Sequence, residues 1–96
     1  MQVIHVHPIM DWMPFYGVIN GATFASHYPI RKGDMFVELV FAFGLTNNNL
    51  KEASRILRER HHNGVALCST KDQFSRKIGY MIAVGRLDDI RSKRTK

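Results

Sequence analysis

The fold is decided in residues 65–87, which read VALCSTKDQFSRKIGYMIAVGRL: a short apolar run, a helix start signal and an amphipathic segment. Thr70 and Gln73 fit the S/T-x-x-E/Q capping box, and Asp72 adds negative charge where the free N–H groups of a first turn favour it. The sequence therefore predicts a helix over residues 71–87. Its apolar residues fall in one arc, which predicts a core-facing stripe: Phe74, Ile78, Met81, Ile82 and Gly85.

Upstream of this helix the sequence predicts five strands, at residues 2–7, 15–19, 22–26, 35–43 and 64–69. Asn20-Gly21 stands between two apolar runs, and both residue types tolerate the positive φ of a tight hairpin turn. Residues 35–43 are apolar on both faces except at Glu38, as in a central strand. With a second helix over residues 47–62, these elements predict an α+β fold, a small, mainly antiparallel sheet covered on one face by two helices.

The composition indicates one globular domain. The 96 residues are 45% apolar and 23% charged, and no apolar run approaches the roughly 18 residues of a membrane span. The first residues lack the pattern of a secretory signal, so we expect a cytoplasmic location and no membrane partner. A single domain is predicted over residues 1–90, with a basic C-terminal tail over residues 91–96. The single cysteine, Cys68, is expected to be a small buried apolar residue.

The charges are unevenly distributed along the chain. Residues 1–45 contain two basic and three acidic side chains, whereas residues 46–96 contain twelve basic and five acidic ones. The basic half is also the half with both predicted helices. Such an asymmetry predicts an anionic partner, which leaves nucleic acid, a nucleotide or an acidic protein surface open.

Two groups of residues are candidates for binding such a partner. On the helix over residues 47–62, four basic side chains share one stripe: Lys51, Arg55, Arg58 and His62. Glu52 and Glu59 lie beside them, so the alternative is a solvated face with weak ion pairs.

The second group lies on the last helix, where Gly79 and Arg86 share a side with Ser75. Glycine is unfavourable inside a helix, so Gly79 suggests close approach by a ligand or a second subunit, with Arg86 donating to a phosphate or carboxylate. The alternative is that Gly79 packs under a loop and Arg86 caps the helix C-terminus.

Catalytic and metal-binding motifs are missing from the sequence. His5 and His7 point the same way on a strand, as metal ligands do, but no third ligand is near them in sequence, and a solvated strand face is the expectation. Walker-type phosphate loops and the motifs G-x-G-x-x-G, C-x-x-C, H-E-x-x-H and G-x-S-x-G do not occur. We therefore predict a protein that is not an enzyme and has no metal or cofactor.

Residues 66–87 carry the pattern A-x-C-S-x-K-D-Q-F-S-R-K-x-G-x-x-I-A-x-G-R-L. This pattern resembles the C-terminal signature of small, mostly uncharacterised bacteriophage proteins, and it covers about a quarter of the chain. More loosely, it is similar to the strand-helix ending of phage anti-Thoeris proteins, which sequester a cyclic nucleotide signal. That resemblance implies a phosphate-binding role for Arg86. Tyr80 departs from it, since the phage signature has arginine there.

Charge and resemblance together lead to one expected function and one alternative. We expect a phage accessory or counter-defence protein in the cytoplasm of the bacterial host, binding nucleic acid or a nucleotide signal through its basic helical face. The alternative is a protein-binding inhibitor that docks on an acidic surface of a host defence or nucleic-acid-processing complex. Either function is compatible with a homo-oligomer.

Overall fold

The computed structural model describes residues 1–7, 15, 17–61 and 64–94. These residues form three strands and three helices in the order β1 (Gln2–Val6), β2 (Ile19–Ser26), α1 (Lys32–Leu45), α2 (Leu50–His61), β3 (Gly64–Ser69) and α3 (Arg76–Arg94). The predicted α+β class with an antiparallel sheet is confirmed. In the described part of the chain, no helix is both long and apolar enough to cross a membrane.

The sheet has the order β1-β2-β3, and both pairs are antiparallel. The predicted hairpin at Asn20-Gly21 is wrong, because both residues lie inside β2. Among the described residues no glycine has a positive φ, so the tight turn does not form. Instead the register shifts between Ile19 and Gly21, and the ring of Phe74 lies so close that a Cβ on Gly21 would be 2.6 Å from it. Glycine in a strand often marks such an irregularity, where the absence of a side chain lets another group approach the backbone closely.

Residues 35–43 lie in α1, so the predicted central strand is wrong. The helix buries residues at helical spacing, namely Met35, Leu39, Ala42 and Phe43. It also carries large apolar residues on its exposed face, namely Val37, Val40, Phe41 and Leu45. A helix that is apolar on both sides reads like a buried strand in the sequence, because the polar positions that reveal the 3.6-residue period are absent.

The two other helices were predicted as helices, but both begin later than expected. α2 begins at Leu50, not near residue 47, because Asn49 is its cap: the Asn49 side-chain oxygen accepts the N–H of Glu52 at 3.0 Å. α3 begins at Arg76, not near residue 71, and Ser75 is its cap, accepting the N–H of Ile78 at 3.3 Å. The sequence therefore places the cap and the helix start five residues too early, at Thr70 and not at Ser75. The helix continues to Arg94, so part of the predicted tail is helical.

Helices cover both faces of the sheet. One core cluster joins α1 and α2 to alternate residues of the strands, such as Val6, Phe24 and Val65. The opposite face is covered by α3, whose Ala83 and Leu87 pack on Ala25 and Ala66. Two helices do cover one face, as expected, but these are α1 and α2, while α3 lies alone on the other.

The predicted core-facing stripe of α3 points away from the sheet. Ile78 is 58% exposed, Met81 63% and Ile82 42%, whereas Gly79, Ala83 and Leu87 are buried. The sheet beneath α3 carries small residues, and at Gly64 the helix is so close that a Cβ would lie 2.8 Å from the backbone nitrogen of Leu87. The large apolar side chains have no space on that side, so the small ones face the sheet.

Candidate functional site

A groove of about 500 Å³ runs along the open edge of β3. In the described residues β3 pairs only with β2, so its other edge faces this groove. The first residue of α2 borders it on one side and the first turns of α3 on the other. Its apolar walls and floor are formed mainly by Leu50, Leu67, Phe74, Ile78 and Ile82, and its polar atoms come from Ser69, Asp72, Gln73 and Ser75.

The loop between β3 and α3, which forms one end of the groove, is held by hydrogen bonds to the start of β2. The Asn20 side-chain amide donates to the carbonyls of Ser69, at 3.3 Å, and of Asp72. The backbone N–H of Thr70 donates to the Val18 carbonyl at 3.2 Å. Thr70, which is predicted as a helix cap, therefore stabilises the loop instead. Because these bonds fix the backbone, this end of the groove is formed before any ligand binds.

Phe74 supports the groove from within the molecule. Its ring covers Gly21 and meets the ring of His7 edge-on at 4.7 Å and that of His5 at 5.9 Å. The Nδ1 atom of His5 is 2.9 Å from the hydroxyl of buried Thr23. The face of β1 that was predicted to be solvated is therefore packed against an aromatic side chain.

The chemistry around His5 disfavours a charged imidazole. Burial lowers the pKa of His5, and the nearby charges of Arg76, His7 and Lys32 lower it further. Among the described residues, no three His, Cys, Asp or Glu side chains are grouped so as to hold a metal ion.

Arg55 is the best-held basic residue of the predicted stripe on α2. Its guanidinium contacts the carboxylate of Glu52 at 2.7 Å and that of Glu59 at 3.1 Å. The hydrogen bond and charge of Glu52, followed by those of Glu59, raise the pKa of Arg55. This arginine is thus already paired on both sides, as in the alternative of a face with weak ion pairs.

Lys51 and Arg58 are arranged differently. On the described residues, no carboxylate lies within ion-pair distance of either side chain. Arg60 lies on the side of α2 that faces α1, because its guanidinium is 4.5 Å from the centre of the ring of Phe41, a residue of α1. At about 100° per residue, Lys51 and Arg58 are roughly 180° and 160° from Arg60. They therefore lie on the side of α2 that is turned away from Arg60 and α1.

The predicted group on α3 borders the same groove. Ser75 and Gly79 line it, and Arg86 follows Ile82 by one turn on the same side of the helix. The Arg86 guanidinium donates to the Val65 carbonyl at 2.5 Å. Gly79 packs on β2, not under a loop, since a Cβ there would lie 3.2 Å from the Cβ of Thr23 and closer to its hydroxyl. Packing accounts for this glycine.

Of the predicted site residues, Ser75 and Gly79 line the groove, Lys51 follows the wall residue Leu50, and Arg86 lies one turn beyond the wall residue Ile82. Arg58 lies two turns further along α2, Arg55 faces solvent between two glutamates, and His62 lies outside the described residues. The sequence analysis does not identify the apolar walls as a site, because it assigns Ile78 and Ile82 to the core. No local signal in the sequence separates an apolar wall from an apolar core.

Cys68 also borders the groove and is half-buried. Burial, and then the charge of Asp72, raise the pKa of its thiol. A thiol with a raised pKa is protonated near neutral pH and is a poor nucleophile. The groove therefore offers apolar contact, a few hydrogen-bonding groups and positive charge at its margin, which are the properties of a binding site.

Comparison with known proteins adds no relative to this description. The chain matches no protein-family model, no curated protein and no solved structure.

Proposed function

We propose that this protein binds a phosphate-bearing ligand, a nucleotide signal or a nucleotide of a nucleic acid, in the groove along β3 and thereby sequesters it without catalysis. The observation that carries the proposal is an apolar groove whose wall residue Leu50 is followed by Lys51 and whose wall residue Ile82 is followed, one turn later, by Arg86. Ligand pockets commonly have volumes of about 300 to 1,000 Å³ and apolar walls with few polar groups. The groove, at about 500 Å³, belongs to this class.

The parts of a nucleotide have complementary chemistry to the parts of the groove. A base is flat and largely apolar on its faces, so it suits the space between Leu50, Phe74 and Ile78. Its polar edge needs donors and acceptors such as Ser69 and Gln73 provide. The phosphates then extend toward Lys51 and Arg58, which are exposed and have no carboxylate partner among the described residues.

Arg86 contributes to the same margin. A guanidinium has five N–H donors, and the Val65 carbonyl uses one of them. The remaining donors are held in a fixed orientation by that bond, and a pre-oriented arginine suits phosphate better than a mobile one. The formal net charge of +6 further favours the approach of an anion.

The biological setting of this proposal comes from the sequence pattern of residues 66–87. Its resemblance to phage proteins supports a counter-defence role in the cytoplasm of an infected bacterium, where removal of a nucleotide signal would protect the phage. Binding alone is sufficient for that role.

A specific feature favours a second candidate function, the inhibition of a host protein. The outer face of α1 exposes a continuous apolar stripe, formed by Val37, Val40, Phe41 and Leu45. Exposed apolar patches often mark protein interfaces. An acidic partner surface with an apolar centre would meet this stripe together with Arg60, which lies over Phe41.

The experiment that tests ligand binding compares two arginines of α2. Isothermal titration calorimetry with cyclic ADP-ribose, and separately with a short single-stranded DNA, measures binding to the unaltered protein, to Arg58→Ala and to Arg55→Ala. Loss of one charged hydrogen bond should weaken binding by about tenfold or more in Arg58→Ala. Arg55→Ala is the matched control, and its binding should change by less than about threefold, since its guanidinium is occupied by glutamates.

The result contradicts the proposal if neither probe binds, or if both arginine variants bind equally well. For a polymeric ligand, Arg58→Ala should also reduce the salt dependence of binding by a slope of about 1. A native mass spectrum of the purified protein separates the two candidate functions, because a retained nucleotide and a retained host protein have different masses.

A further inference from the structure

We infer that a second copy of this chain packs on the outer face of α3, antiparallel to it, and forms a two-fold symmetric dimer. The outer α3 face consists of Ile78, Met81, Ile82 and Gly85. This inference goes beyond ligand binding, because it concerns assembly. Ile78 and Ile82 also line the groove, so the second copy would lie along the α3 edge of the groove.

The spacing of the outer α3 face is that of a helix pair. The residues stand at positions i, i+3, i+4 and i+7, which form a narrow seam of the kind that a neighbouring helix covers. The three apolar side chains are largely exposed, and a Cβ on Gly85 would have no atom within 4 Å of it. About an axis between residues 81 and 82, Gly85 of one copy faces Ile78 of the other, so a small residue meets a large one when the two helices run in opposite directions.

The charges beside this seam select the antiparallel direction and identify the partner as a second copy. Lys77 and Asp88 are both exposed and lie on the same flank of the seam, about 20° apart around the helix axis. They are eleven residues apart, which is about 16 Å along the axis, so they do not pair within one chain. In an antiparallel pair of helices the same flanks meet, and Lys77 of each copy faces Asp88 of the other. A parallel two-fold pair would bring opposite flanks together, so that Lys77 and Asp88 of the two copies would not meet.

One symmetry axis satisfies both features. The midpoint between Lys77 and Asp88 lies between residues 82 and 83, and the midpoint of the outer α3 face lies between residues 81 and 82. The two midpoints agree within one residue. A two-fold interface requires such self-complementarity about one point.

The position of α3 makes this assembly compatible with the rest of the fold. Because α1 and α2 cover the opposite face of the sheet, dimerisation through α3 leaves Lys51 and Arg58 uncovered. Each dimer then carries two grooves.

Sedimentation velocity of the full chain over a range of protein concentrations, without added ligand, tests the dimer. We expect a concentration-dependent dimer in the unaltered protein. Each of the variants Lys77→Asp and Asp88→Lys exchanges two attractive contacts for two repulsive ones, which should weaken the dimer by about tenfold. The double variant should restore dimerisation to within about threefold of the unaltered protein, because it reverses both charges.

Lys71→Asp is the matched control, since Lys71 is exposed and lies before α3 begins. It should leave dimerisation within about threefold of the unaltered protein. A sedimentation pattern of monomer at every concentration, or a double variant as weak as the single ones, would overturn the inference. Neither result depends on Arg58, so failure of the dimer and failure of ligand binding are distinguishable.

Discussion

Replacement of Gly64 by alanine tests the close approach of α3 to β3. A Cβ at this position would lie 2.8 Å from both the carbonyl carbon of Ala83 and the backbone nitrogen of Leu87, and nearer still to the Ala83 oxygen. These are backbone atoms, which no rotamer change can move. We therefore expect α3 and β3 to separate by roughly 0.5 to 1 Å, a gap that removes a quarter to a half of the dispersion energy of each affected contact.

The free energy lost follows from overpacking. Inserting a methyl group into a close-packed site costs about 1 to 3 kcal/mol, and the backbone clash places Gly64→Ala at about 3 kcal/mol. A domain of this size is stable by about 5 to 15 kcal/mol, so the loss is a large fraction of the whole. At about 4 to 8 °C per kcal/mol, the melting temperature should fall by about 12 to 24 °C.

Thermal and urea unfolding, followed by circular dichroism, measure this loss. Gly44→Ala is the matched control, because Gly44 lies in α1 with nothing within 4 Å of an added Cβ. That variant should be more stable by up to about 1 kcal/mol, as alanine favours a helix over glycine. If Gly64→Ala unfolds within about 0.5 kcal/mol of the unaltered protein, α3 does not pack closely here, and the reason given for the outward direction of Ile78 and Met81 fails.

Two further predictions concern the helix start and the pH dependence of stability. In urea unfolding, Ser75→Ala should destabilise the protein by about 1 kcal/mol, because it removes the α3 cap. Gln73→Ala should change the free energy of unfolding by less than about 0.5 kcal/mol. Equal losses in the two variants would contradict this assignment and favour the capping box of Thr70 and Gln73. Because burial and Arg76 lower the pKa of His5 in the folded chain, the unfolded chain takes up a proton there first. Stability should therefore fall as the pH is lowered through about 6.5 and level off below the folded-state pKa. Urea unfolding at several pH values should show a smaller fall in His5→Gln, and an unchanged fall would refute this assignment.

The sequence predicts a helix well where its apolar and polar residues recur with the 3.6-residue period of a helix. α2 has that periodicity, with Ala53 and Leu57 buried and Lys51 and Arg58 exposed, and it was found as a helix. α1 lacks it, because its exposed face is as apolar as its buried one. A period cannot be detected when both faces of an element have the same character, so the strand assignment of residues 35–43 followed from composition alone.

Which side of α3 faces the sheet cannot be predicted from the sequence, for a different reason. The amphipathic arc of this helix was identified correctly, but the side of the arc that faces the sheet depends on the partner surface. That surface consists of Gly64, Ala66 and Ala25, from two strands that are distant in sequence. Local periodicity contains no information about the size of residues brought together by pairing of β2 with β3.

The candidate site shows the same division between local and long-range information. The sequence identified basic residues on two helices and treated them as separate groups. The groove that separates Leu50 from Ser75 exists only because β3 runs between α2 and α3 with one edge unpaired in the described residues. The paired state of Arg55 was accessible from sequence, since Glu52 and Glu59 stand at i−3 and i+4 from it.

Close packing of α3 and its exposed outer face have one common cause. A helix that approaches a sheet through glycine and alanine gains dispersion contacts along its backbone, but it buries little side-chain area for its length. The larger apolar residues are then displaced to the outside, where they gain nothing from the monomer. Covering them with a second copy would supply the burial that Gly79 and Ala83 forgo. On this reasoning the stability of the chain should increase with its concentration, and in Lys77→Asp the same increase should require an about tenfold higher concentration while the Gly64 contact remains intact.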